Sequence, residues 1–310
     1  MRRSARRAKK IRIVIAVKES IKMVRAKNII TTVISLVMVI TFGATASFGT
    51  PTVYKGYANP HSVISVEKLQ GNFDEFVVVD FSKKESTLIK GALYIDRNKL
   101  FSKINGVKMM RASRETFERV LGEHGLTIDT PVVIYSDNDN KFAARFYWDL
   151  KALGQKDVRI LDGGIEAWKA AGFDTVGKSV KLPTATYVAR GQDYGTYADF
   201  DLIRDSTGED GCVIVDTRTV KEYKKGRIPG AININFITAL NKDMTFKTAD
   251  ELRAIYKDIP EDQMIVTYCL GGIRAAESWF VLSELLGFKN VKMYDGSWWE
   301  YEKMDGPIEK

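Results

Sequence analysis

The sequence predicts an α/β chain built of two tandem domains, each a mostly parallel sheet flanked by helices on both faces. Three observations carry this expectation. Short β-branched runs alternate with helical patterns, as strand–helix–strand units do. The alternation is written twice. Placing Tyr135 on Tyr268 also places Leu153-Gly154 on Leu286-Gly287 and Asp162-Gly163 on Asp295-Gly296, all at an offset of 133. Upstream, Asp80 falls on Asp216 (offset 136) and Gly91-Ala92 on Gly230-Ala231 (offset 139), a drift that belongs in loops. Finally, 310 residues with 45% hydrophobic and 28% charged residues are ordinary globular composition, with room for about two domains of roughly 100–200 residues.

The elements follow in chain order. Residues 1–46 read as a basic n-region and a signal peptide. Ile29 to Phe42 is an apolar run of 14, preceded by Arg25 and Lys27 and followed by the A-x-A site Ala44-Thr45-Ala46. Cleavage would start the mature chain near Ser47. The uncharged stretch to Tyr54 leaves an uncleaved anchor as the alternative, and Met23 is an alternative start. In either case the body is exported, to the periplasm, the cell surface or the medium. Residues 47–59 form a spacer.

The first domain is expected over 60–175, a linker over 176–195 and the second domain over 196–310. Buried strands are predicted at FVVVD (76–80), PVVIYS (131–136) and VRIL (158–161). Their twins are CVIVD (212–216), MIVTYC (264–269) and VKMY (291–294). Helices are predicted over Phe142 to Leu153 and Ala275 to Leu286, closed by Gly154 and Gly287.

Charge narrows the function. The net charge is +8, but residues 1–28 hold eleven Lys/Arg against Glu19 alone, so the body from Lys55 onward carries −2. A nucleic-acid binder needs its basic charge on the body, so that class is excluded. Two Cys give no disulfide framework, two His argue against a zinc cluster, and no glycine-rich nucleotide loop occurs. No cofactor or metal is expected.

The turn after MIVTY carries the chemistry. Cys269 ends a strand, Leu270-Gly271-Gly272-Ile273-Arg274 follows, and then a helix. Two glycines let the backbone turn its N–H groups inward. The helix N-terminus and Arg274 add positive charge. Such a setting favours a thiolate and prepares the loop for a small anion, so Cys269 is the expected nucleophile. Cys212 starts an apolar strand and reads as structural. His61 and His124 read as surface or turn residues, so a Cys–His hydrolase is poorly supported. Asp216 and Arg218 read as a structural ion pair. Asp295, Trp298 and Trp299 read as packing.

These residues resemble the two-domain rhodanese family, the thiosulfate and 3-mercaptopyruvate sulfurtransferases, across about residues 60–310. VKMYDGSWWEY (291–301) matches the family's C-terminal signature. GRIPGAIN (226–233) matches the other, with Arg227 where His is usual. YCLGGIRAAESWFVLSELLG is most similar to the bacterial thiosulfate enzymes. The first repeat resembles the family's inactive N-terminal domain, with Ser136 at the nucleophile position.

The resemblance implies two rhodanese-like domains and a ping-pong sulfurtransferase. Cys269 would take the outer sulfur of thiosulfate as a persulfide and pass it to cyanide or a thiol. It also implies that Arg145 holds the sulfonate from the interdomain cleft; an interdomain salt bridge is the alternative for that residue. Arg274 would line the loop, and the backbone amides of Leu270, Gly271, Gly272, Ile273 and Arg274 would cradle the anion. Related phosphatases and arsenate reductases place five residues between Cys and Arg, against four here. Leu270-Gly271-Gly272 matches neither the basic loop of vertebrate thiosulfate enzymes nor the Gly-Ser-Gly loop of mercaptopyruvate enzymes. A monomer is expected, with a small anionic sulfur donor as partner and membrane contact only through an uncleaved anchor. A 3-mercaptopyruvate sulfurtransferase, a non-catalytic persulfide carrier or sulfur-binding module and a Cys212–Cys269 redox sensor are the competing readings.

Overall fold

The computed structural model describes residues 54–137, 139–191 and 194–310. The expected signal sequence lies outside the described residues, as does most of the spacer. Among the described residues no helix is long and apolar enough to cross a membrane.

The first domain holds β1 (Val63–Ile64), α1 (Val66–Gly71), β2 (Val77–Asp80), β3 (Leu93–Tyr94), α2 (Arg114–Glu123), β4 (Val132–Tyr135), α3 (Lys141–Ala152), β5 (Val158–Leu161) and α4 (Gly164–Ala170). The second holds β6 (Tyr197–Ala198), α5 (Phe200–Ser206), β7 (Cys212–Asp216), α6 (Val220–Tyr223), β8 (Ile232–Asn233), α7 (Ala249–Ile255), β9 (Met264–Tyr268), α8 (Ile273–Phe280), β10 (Val291–Tyr294) and α9 (Ser297–Lys303). The sheet orders are β1-β5-β4-β2-β3 and β6-β10-β9-β7-β8. Every neighbour in both is parallel, and the two orders are the same topology.

The three predicted strand pairs are the inner strands of these sheets. The structure adds two outer strands to each, only two residues long, too short to show a period of two. Helix α8 also ends earlier than its periodicity suggests. It passes into a π-helical turn over Val281–Leu285, and Gly287 then takes φ +81°.

Side-chain alternation along the strands divides the core. Val79, Val132, Ile134 and Ile265 face one cluster shared by both domains. Val78, Val133 and Tyr135 face a second cluster within the first domain, and Ile214, Val266 and Tyr268 a third within the second. In the shared cluster, Tyr147 of α3 meets Phe280 of α8 edge to face, with ring centroids 4.8 Å apart. The two sheets thus bury their inner faces in one core, and domain separation would expose it to water.

Reciprocal clasps reinforce this. Asp295 Oδ2 of the second domain accepts from the Arg111 N–H of the first at 2.9 Å. Asp162 Oδ1 of the first accepts from the Phe246 N–H of the second at 2.8 Å. Each clasp also holds a cation, Arg145 on Asp295 at 2.6 Å and Lys55 on Asp162 at 2.7 Å.

Candidate active site

Cys269 stands at the carboxyl end of β9, in the turn that opens α8. Alternation sends Tyr268 to the outer cluster and Cys269 to the shared one, where it is 1% exposed. Central parallel strands deliver their turns to the same sheet end, where ligands of α/β folds gather.

The turn is pinned from the start of α9. Ser297 Oγ accepts the N–H of Cys269 at 3.1 Å and of Gly272 at 3.0 Å, and donates to Tyr294 O at 2.7 Å. Ser297 holds φ +51°, a left-handed conformation that disfavours a residue with a side chain. Three hydrogen bonds from one hydroxyl offset that strain. The N–H groups of Trp298 and Trp299 then bond Cys269 O and Leu270 O, at 3.1 and 3.0 Å. Both glycines are sterically required. A Cβ on Gly271 would lie 2.6 Å from the Trp299 ring. On Gly272, at φ +78°, it would lie 2.6 Å from Arg145 Nη1 and 2.7 Å from Asp295 O. Gly272→Ala is therefore expected to cost about 2 kcal/mol or more, from left-handed backbone and forced contact together. A fall in the denaturation midpoint measures it.

Arg274 lies beside the sulfur. Its Nη1 and Nη2 form a two-pronged pair with Glu222 of α6, at 2.8 and 2.9 Å. Burial opposes its charge, but the Glu222 carboxylate and then the Cys269 sulfur outweigh burial and hold its pKa above the ordinary guanidine value. Hydrogen bonding to Arg274 in turn draws Glu222 down to about 2, helped by Thr219. Glu222 and Ser297 are site residues that the sequence reading did not single out. A signal for Glu222 existed: Thr219-Val220-Lys221-Glu222 has the spacing of a capping box, and the box is formed.

The expected site residues fall as follows. Cys269, Leu270, Gly271, Gly272, Ile273 and Arg274 share one turn. The Gly272 amide hydrogen is taken by Ser297, leaving it unavailable to an anion in this conformation. Arg145 touches the back of the turn through Gly272 but is 0% exposed, and it bridges the domains to Asp295. Burial opposes its charge, while Asp295 and then Asp149 raise its pKa above the usual guanidine value. Of the two expectations for this residue, the geometry realises the interdomain salt bridge. Asp295 is accordingly an ion-pair partner as well as a packing residue. Asp216 and Arg218 form the expected buried pair, with Nη2 to Oδ2 at 2.6 Å.

Cys212 pairs in register with Met264, at the far end of the same strands from Cys269, and both cysteines are free. Five residues of strand rise, roughly 16 Å, exceed the ~7 Å Cα limit of a disulfide. Among the described residues no cluster of His, Cys, Asp and Glu could hold a metal ion.

The first domain's turn differs. Ser136 takes the place of Cys269, and its hydroxyl accepts the Ala143 N–H at 3.2 Å, inside the start of α3. Asn140 fills the turn, accepting from Ser136 N and donating to Leu161 O.

Glu277, on α8, is 1% exposed, and neither carboxyl oxygen has a hydrogen-bond partner. Burial, then Asp139, raise its pKa well above the ordinary carboxyl value. In the unfolded chain it titrates near about 4.3. Above that pH the unfolded state has released a proton that the folded state retains, so stability falls as pH rises. Glu277→Gln is expected to melt higher than the parent at pH 8 and to lose that advantage near pH 4. Equal midpoints at both pH values would contradict it.

Residues 65–171 and 200–304 match the family model described as "Rhodanese-like domain". A Haloferax volcanii protein named "Putative thiosulfate sulfurtransferase" is 38% identical, with 64% of this chain and 75% of that protein covered. The "Sulfur carrier protein TtuD" of Thermus thermophilus is 34% identical, with 82% and 99% covered. The solved anaerobic ergothioneine biosynthesis enzyme of Chlorobium limicola shares the fold, at TM-score 0.75 and 24% identity over 82% of this chain and 71% of that one. Two matched domains of one topology, with a cysteine turn in the second alone, place the chain in the two-domain rhodanese family of sulfurtransferases.

Proposed function

We propose that the chain moves the outer sulfur of thiosulfate to a thiophilic acceptor through a persulfide on Cys269. The observation that carries this reading is the single cysteine turn. Its thiol sits at a helix N-terminus, beside an arginine held charged by Glu222. The Cys269 thiolate attacks the outer sulfur, the sulfur–sulfur bond of thiosulfate breaks, and sulfite leaves with the electron pair. An acceptor such as cyanide then attacks the outer persulfide sulfur. Thiocyanate leaves and the Cys269 thiolate returns. Starting from the thiolate, neither half transfers a proton.

The backbone N–H groups of Leu270, Gly271, Ile273 and Arg274, with the Arg274 guanidinium, are the proposed anion cradle. Export follows from the signal-like residues 29–46 and forms part of the proposal.

The test is thiocyanate formation by the purified chain from cyanide with thiosulfate or with 3-mercaptopyruvate. Turnover with thiosulfate supports the reading. Turnover only with 3-mercaptopyruvate keeps the persulfide and changes the donor. The Thermus thermophilus relative's name favours a second reading, a persulfide carrier that delivers only to a protein acceptor. Silence with both donors from a folded protein would select it.

A further inference from the structure

The two domains can be compared atom by atom at one further place. The repeat sets Asp80, Ser82, Tyr135 and Ile165 of the first domain on Asp216, Arg218, Tyr268 and Trp298 of the second. The strand registers agree: Asp80 lies beside Tyr135 as Asp216 lies beside Tyr268. In the second domain Arg218 fills the space between these groups. Its Nε and Nη2 reach the Asp216 carboxylate at 3.0 and 2.6 Å, and its guanidinium lies 4.4 Å from the Trp298 ring centre. Tyr268 donates to the same carboxylate at 2.6 Å and accepts from the Ile228 N–H.

The first domain keeps this frame and lacks the arginine. Tyr135 accepts from the Ile89 N–H as Tyr268 does from Ile228. Ser82 replaces the arginine, and its hydroxyl accepts from the Asp137 N–H. A cavity of about 410 Å³ opens there, lined among others by Asp80, Ser82, Tyr135, Ile165, Lys83 and Lys84. Asp80 is 3% exposed, and its Oδ1 has no hydrogen-bond partner. Ser82 and Tyr135 hydrogen-bond the rest of the carboxyl, but among the described residues no cation pairs with it, and burial drives its pKa up to about 6. Two of the other cations lining the cavity are already matched: Arg97 pairs with Asp137 and Lys169 with Glu166. Lys83 and Lys84 are exposed and line the cavity near Ser86 and Thr87, which are also exposed.

We propose that this cavity binds a small molecule carrying a guanidinium group at one end and an anionic group at the other. The guanidinium takes the place that Arg218 holds in the second domain, paired with Asp80 and packed over Ile165. Lys83, Lys84 and the hydroxyls of Ser86 and Thr87 take the anionic end. A cavity of this size admits a whole molecule of that class. The site is separate from the cysteine turn and does not rest on the proposed reaction.

The test is calorimetric titration of the full chain with L-arginine, agmatine and L-citrulline. L-arginine is expected to bind saturably at one site. L-citrulline has nearly the same shape without the charge and is expected to bind roughly tenfold or more weakly. Agmatine, without the carboxylate, falls between them. Ser82→Arg supplies the missing side chain, so it should abolish binding and raise the melting midpoint. Asp80→Asn should also abolish binding. Should Asp80→Asn fold poorly, Ser82→Arg carries the test alone. No saturable binding of L-arginine or agmatine overturns the proposal. So does equal binding of L-citrulline, or full binding by Ser82→Arg. Binding of sulfate that survives Asp80→Asn but is lost on changing Lys83 and Lys84 to Ala marks an anion site and overturns it too.

Discussion

Cys269→Ser is expected to abolish thiocyanate formation, by about a thousandfold or more, with little change in the melting midpoint. A serine hydroxyl stays protonated where a thiol can ionise, so the persulfide cannot form. The substitution nearly conserves volume, and the pins on the turn use the Cys269 backbone N–H and C=O, which serine retains. Loss of activity with an intact fold is therefore the signature of a nucleophile. The comparison uses initial rates from cyanide and thiosulfate, beside thermal unfolding of both proteins. A mass increase of one sulfur on the parent after thiosulfate treatment, absent from Cys269→Ser, checks the intermediate directly. Activity within tenfold of the parent would sink the assignment.

Arg145→Ala is expected to produce the largest loss of stability, about 3–5 kcal/mol. The guanidinium is fully buried between Asp295 of one domain and Asp149 of its own helix. Removing it leaves Asp149 with Arg111 as its remaining cation, leaves Asp295 with the Arg111 N–H but no cation, and opens a void against Gly272. Asp295→Asn should also destabilise, and the double variant should lose less than the two singles together, since each breaks the same pair. Denaturant unfolding measures all three. If Arg145 instead served only to hold the donor, the KM for thiosulfate would rise while the unfolding midpoint stayed put. Because Asp295 precedes Gly296 and Ser297, and Ser297 pins the cysteine turn, loosening this pair should also lower the rate of the folded fraction.

The two predictions draw on different kinds of information. The turn that carries Cys269 was legible in the sequence because its signal is local. A buried strand, two glycines, an arginine and a helix start lie within the eleven residues 264–274, and each has a short-range physical cause. The duplication was legible for a related reason: Tyr135 and Tyr268, or Asp162 and Asp295, repeat at nearly constant spacing whatever their contacts. The inner strands were legible from unbroken apolar runs, because parallel strands buried on both faces need them. The outer strands, such as Leu93–Tyr94 and Ile232–Asn233, were not, since two residues carry no period.

The sequence by itself determined the fold class, the repeat and the position of the glycine turn that carries Cys269. Tertiary structure decided which charges meet. Glu222 and Arg274 are 52 residues apart, and Arg145 and Asp295 are 150 apart, so no local pattern joins them. Carried over by resemblance, Arg145 was expected at a substrate; packing of α3 against the second domain turns it onto Asp295. The repeat sets Ser82 on Arg218, but only the fold shows Asp80 buried without the arginine that pairs with its twin. Strand and turn formation depend on neighbours in the chain. Pairing of buried charge depends on which surfaces the folded core brings together.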